Sequence, residues 1–145
     1  MKISMLKYLI GQNSDDVGKL ILRVSVAVFI LVHGVSKIMM PAQVDFIMEM
    51  FTAVGLPGVI AYGVYIGEVA APIAMIVGWR TKIAAFLVAG TMTMVILVGH
   101  TSEIFPLSSF SWWGIELQTS FLLGAIAVFF LGAGRYAFSS QHRLD

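Results

Sequence analysis

Four apolar runs near residues 17–40, 58–78, 83–99 and 113–133 limit what this chain can fold into. A transmembrane helix needs about 20 such residues. Only 12% of the 145 residues are charged and 59% are hydrophobic. Mean hydropathy is +0.92. An ordinary soluble domain carries about 25% charged residues. A soluble domain of about 150 residues still leaves about a third of its chain surface in water. A bilayer removes that difficulty. The expected fold is an all-α integral membrane protein, a four-helix transmembrane bundle in one domain over residues 1–145, with the lipid bilayer as its solvent.

The residues between the runs refine this. Residues 1–16 alternate apolar and basic groups. They read either as a short interfacial helix or as a frayed tail. Lys7 interrupts the apolar patch, which makes a cleavable signal unconvincing. Asp15 and Asp16 precede span one and suit a helix N-terminus. Pro41 ends that span. Within 41–57, Val44, Ile47, Met48, Phe51 and Val54 recur at helical spacing, so a short amphipathic helix along the membrane surface is expected between spans one and two. Gly55-Leu56-Pro57 stops it. In span two, Gly63, Gly67 and Ala71 form a ridge of small residues that invites close helix packing. Trp112 and Trp113 suit an interface.

Lysine and arginine fall in the N-terminal segment, the turn at Arg80 and Lys82, and the C-terminal tail. The positive-inside rule then places both termini in the cytoplasm of a bacterial inner membrane. A net charge of +1 gives no basis for nucleic-acid binding, and zero cysteines exclude disulfides and thiolate metal sites on this chain.

Against this apolar background the ionisable residues carry the functional information. His33 and Lys37 are four residues apart in span one, one helical turn on one face. Glu68 lies near the middle of span two. Pro72, four residues on, lacks the N–H that would bond to the Glu68 carbonyl. A carboxylate and a freed carbonyl thus coincide where lipid satisfies neither. His100 closes span three and Glu116 opens span four. His33, Lys37, Glu68, His100 and Glu116 all fall in the outer half, where a bundle interior would gather them. Arg23 alone lies in the inner half and reads as a snorkelling anchor.

Each group has a plainer reading. Lys37 snorkels; His33 is a hydrogen-bonded core residue; His100 and Glu116 mark a boundary; Glu68 is a neutral acid or an ion paired with His33 or Lys37. Two His and two Glu are ligand types for zinc or iron, but no helix carries a tight ligand pair, so no metal site is assigned. The nine methionines read as packing residues. No haem, flavin or iron–sulfur motif is present.

In order along the chain, His33-Gly34-x-x-Lys37, Gly55-Leu56-Pro57, Glu68, Gly78-x-x-Thr81-Lys82, His100, Trp113-x-x-Glu116 and Gly132-x-Gly134-Arg135-Tyr136 resemble the DoxX family of small four-helix bacterial membrane proteins. The loop Ser108 to Trp113 departs from the family's common Asn-Gly type. The Ala-Phe-Ser-Ser after Tyr136 replaces the Ser-Leu-Asp of many relatives. The resemblance implies association with quinol oxidase or thiosulfate:quinone oxidoreductase complexes. It supplies no catalytic mechanism and no cofactor.

Three readings follow. In the first, a redox accessory subunit binds a quinone. His33 and Lys37 donate to its carbonyls, Glu68 relays protons, and His100 and Glu116 lead outward, with electrons supplied by a partner protein. In the second, the cluster holds a small anion, or the protein assists assembly of a complex. A transporter of four short spans would have to form a homo-oligomer. In the third, the charges are internal pairs that fix helix register.

Overall fold

The computed structural model describes residues 14–100 and 114–139. The expected interfacial segment before Ser14, the loop with Trp112 and Trp113, and the last residues of the tail lie outside them. The described residues are helical, with no strand among them. Helix α1 is Ser14–Met39, α2 Ala42–Ala53, α3 Gly58–Val77, α4 Thr81–Gly99 and α5 Glu116–Leu131. Helices α1, α3 and α4, at 26, 20 and 19 residues, are long and apolar enough to cross a membrane. The described part of α5 is apolar and shorter, at 16 residues. In space α1 packs on α3, α3 on α4, α4 on α5, and α5 back on α1, which closes a four-helix bundle.

Both faces of α1 are apolar, for different reasons. Arg23, Val26, Ala27, Ile30 and Gly34 are buried, while Ile21, Val28, Val32, Val35 and Met39 are exposed. A helix hydrophobic all round belongs in lipid or in a large core. The bundle core is built largely from small residues. Ala27, Ala71, Ala84, Ala85 and Ala125 surround Ile30, Met75, Val88 and Val128. Small side chains let the backbones approach where lipid offers no hydrophobic drive to association.

Helix α2 was expected to lie on the membrane surface. Its buried residues Val44 and Phe51 turn toward protein, in a second cluster with Ala61 and Val64 of α3 and the partly buried Met94 and Val98 of α4. Val54, assigned to the same stripe, is 56% exposed, because the helix has ended at Ala53. Gly55, at φ +79°, makes the turn, and the Leu56 amide donates back to the Phe51 carbonyl at 2.9 Å.

Helix α3 was expected as one span with the Glu68 carbonyl freed by Pro72. It opens with a 3₁₀ turn, Gly58–Tyr62, and widens to a π turn at Ile66–Ala70 before Ala71–Val77 returns to α geometry. The missing N–H of Pro72 explains where the ladder breaks. Helix α3 stops at Gly78 (φ +77°) in a Schellman turn, where Trp79 donates to the Ala74 carbonyl at 2.9 Å and Gly78 to Met75 at 3.2 Å.

The largest correction concerns Arg23. It is not a snorkelling anchor, being only 1% exposed. Its Nη1 donates to the carbonyls of Met75 (2.6 Å) and Ile76 (3.3 Å), and its Nη2 to Tyr136 (2.6 Å). These carbonyls belong to the last turn of α3 and to the tail, so the guanidinium satisfies acceptors that a helix C-terminus leaves open. A side chain at Gly78 would overlap Arg23 and Ala137. The tail is held further by Phe138 and Ser139, which donate to Val77 and Gly78 at 3.2 Å each. The Arg135 amide donates to Asp16 Oδ1 at 3.0 Å.

Candidate functional site

At the other end of the bundle the helices enclose a cavity of about 720 Å³. Its wall is mainly apolar, with Ile30, Val64, Val95 and Phe121 among the lining residues. The polar groups on it are His33 and Lys37 from α1, Glu68 from α3, Thr91 from α4, His100 just past α4, and Gln118 from α5.

Glu68 is only 1% exposed. It sits on the π turn, and its carboxylate is ion-paired with the Lys37 ammonium. Lys37 therefore does not snorkel to the surface; its side chain is 15% exposed. Gly34 makes the pairing possible, since a Cβ there would overlap the Glu68 backbone carbonyl and the Val69 side chain. Thus the glycine beside His33 lets α1 rest on the turn that Pro72 distorts. The Tyr65 hydroxyl lies 3.5 Å from the Lys37 carbonyl, which it faces as donor.

His33 is exposed at the residue level yet lines the same cavity. Its ring meets the Phe121 ring edge-on, with centroids 5.8 Å apart and planes at 67°. His100 is held at both nitrogens. Its Nδ1 lies 3.3 Å from the Val95 carbonyl and its Nε2 3.3 Å from the Gln118 amide nitrogen. A carbonyl only accepts, so Nδ1 carries a proton; Nε2 then accepts from Gln118. Glu116 behaves differently. It is exposed in the first turn of α5 and does not line the cavity.

The cavity lining thus includes His33, Lys37, Glu68 and His100 and leaves Glu116 outside. Gln118 and Thr91 were missed by a reading that searched for charge. An amide or hydroxyl carries none, and the available signal was only that Gln118 follows Glu116 at the start of an apolar run. Among the described residues no three His, Asp or Glu side chains gather as a metal centre.

The small-residue ridge is only partly used. Gly67 meets α4, where a Cβ would overlap Thr91, and Ala71 is buried, but open space lies beside Gly63.

The DoxX family model matches residues 18–101 of the chain, from the first turns of α1 to just past His100. The chain belongs to the DoxX family. It is a multi-pass membrane protein of that family, and the matched stretch includes His33, Gly34, Lys37, Glu68 and His100. No curated protein and no solved structure matches the chain.

Proposed function

We propose that this DoxX protein binds a lipid-soluble quinone or quinol in the cavity beside Lys37 and Glu68, as the membrane subunit of a redox system. The observation that supports this most is a buried ion pair in the wall of an otherwise apolar cavity of about 720 Å³. Ligand pockets of about 300–1,000 Å³ with few convergent polar groups suit a drug-sized apolar molecule. The His33 ring and the Lys37 ammonium supply donors for carbonyl oxygens. Glu68 accepts a proton from a hydroxyl or returns one to a carbonyl. His100 and Gln118 fix the far wall. Electrons come from a partner protein, since the protein's own motifs hold no haem, flavin or iron–sulfur group.

The pairing also weighs against the anion reading, because Glu68 already neutralises the Lys37 charge that an anion would need. The assembly and register readings retain the same pair as a purely internal contact. In the bacterial inner membrane, α5 completes a fourth crossing. Arg80, Lys82 and Arg135 then face the cytoplasm with both termini, and the cavity opens in the outer half.

The test is binding of a short-tailed quinone to the purified protein in lipid nanodiscs. Glu68→Gln and His33→Ala are expected to weaken it at least tenfold. Unchanged binding in both variants removes the quinone reading. A fall in melting temperature, with no quinone bound by the parent protein, favours the register reading.

A further inference from the structure

We infer that the cavity is open sideways to the lipid, through a window between α3 and α4 kept clear by Gly63 and Gly90, and that the ligand's hydrocarbon tail lies in this window. This deepens the quinone reading, on which it rests, by naming a long-tailed lipid ligand that arrives from the bilayer rather than from water.

The window follows from how the two helices meet. α4 packs on α3 along the π turn and Ala71–Val77, closed at its upper limit by Gly67 against Thr91. Beyond that contact the first turns of α3 lean on α2 instead. Both Gly63 and Gly90 line the cavity and are exposed, and a Cβ at either would meet nothing within 4 Å. Their backbone is helical and needs no glycine for its dihedral angles. Glycine in a helix interior costs about 1 kcal/mol relative to alanine. What the absent side chains supply is space, continuous with the cavity.

The depth is right for lipid. Gly90 stands midway along the 19-residue α4, one residue from the Thr91 that touches Gly67, so it is level with the π turn and Glu68. Around the window Phe46 is 62% exposed, Ile60 42% and Leu87 39%, and all three line the cavity. An aqueous mouth would not carry an apolar rim that runs from Leu87 near mid-span to Ile60 and Phe46 toward the outer end. An isoprenoid or acyl tail laid across it covers that rim, while the head group sits at Lys37 and Glu68.

The experiment uses the full chain in lipid nanodiscs containing a fatty-acyl diazirine, a photoreactive probe confined to the bilayer. Adducts are mapped by mass spectrometry. The parent protein is expected to label at the cavity-wall residues Val64 and Thr91 as well as at Phe130, which is 76% exposed on α5 and not part of the cavity. Gly63→Leu with Gly90→Leu is expected to cut wall labelling at least tenfold and leave Phe130 unchanged. Wall residues unlabelled in the parent while Phe130 labels, or wall labelling unchanged in the double variant, overturns the window. Loss of Phe130 labelling would mark a misfolded variant; Gly63→Ala with Gly90→Ala then decides, since the window requires a partial loss of wall labelling there and falls without one. A second arm compares a tailless benzoquinone with a decyl-tailed one. The leucine variant should bind the decyl form at least tenfold more weakly and the tailless form within about twofold. If the wall labels as expected but neither quinone binds the parent protein, the window stands and the quinone reading falls.

Discussion

Arg23 and Lys37 lie on one stripe of α1, fourteen residues apart, which is about 21 Å along a helix axis. Both are cations within an apolar segment, and from sequence they differ only in depth. Their surroundings are unlike. Arg23 spreads its planar fork over three backbone carbonyls and is packed against Gly78 and the tail. Lys37 has one carboxylate partner among the described residues, and that pair borders a cavity. The guanidinium has five fixed donors and suits several acceptors at once, whereas the ammonium is a compact charge on a flexible stem. A buried charge is therefore no sign of chemistry by itself. The space beside it separates a structural cation from a candidate site.

That contrast can be broken at either end. The largest effect is expected from Glu68→Leu, which strands a buried ammonium; removing one partner of a buried pair costs about 3–5 kcal/mol. Thermal unfolding in detergent measures it. Adding Lys37→Met should recover most of the loss while leaving quinone binding abolished; if binding survives the double change, the pair is not part of the site. Arg23→Met comes next. It leaves three carbonyls without their donor, and hydrogen bonds to a charged group are worth about 1.5–3 kcal/mol each. A loss of about 3 kcal/mol is expected, with early proteolysis of the tail after Gly134 and little change in quinone affinity. Arg23→Lys should restore less than half, because one ammonium cannot reproduce the fork. An equal effect of Arg23→Met on binding and on stability would erase the distinction between the two ends.

Gly34→Ala is expected to cost less than either. Its methyl would overlap the Glu68 carbonyl, and overpacking typically costs about 1–3 kcal/mol. It should also disturb the Lys37 pair, so affinity and melting temperature fall together. The smallest effect belongs to Gln118→Leu. The Gln118 Oε1 is buried without a partner, so losing it offsets the lost hydrogen bond to His100. Stability should change by less than about 1 kcal/mol, while the His100 resonances in an NMR spectrum shift as Nε2 loses its donor.

The sequence made the helices legible because bilayer length and apolar composition leave little choice. Glu68 and Pro72 were legible too, since the absent N–H of proline is a covalent fact that marks where the ladder must fail. The role of Arg23 was not. Its acceptors are backbone carbonyls, which every residue carries, so nothing in the residue types at 75, 76 and 136 announces them. Glu116 shows a different limit. Depth follows from counting residues, but rotation about the axis depends on which neighbours arrive, and the first turn of α5 faces this carboxylate away from the cavity. Gln118, two residues on, takes the inward position. What covers α2 was not legible for a related reason. An amphipathic stripe says that one face will be covered, and here the cover is the start of α3 and the end of α4.

The Arg23 contacts also set an order of events during synthesis. Its acceptors lie 52, 53 and 113 residues further along the chain. When α1 first reaches the bilayer its guanidinium has no protein carbonyl waiting for it, and water or lipid phosphate must hold it meanwhile. Only after the hairpin of α3 and α4 is in place, and the segment around Tyr136 has left the ribosome, does the last of its bonds close. Helix α1 thus reaches its final seat among the latest steps of assembly.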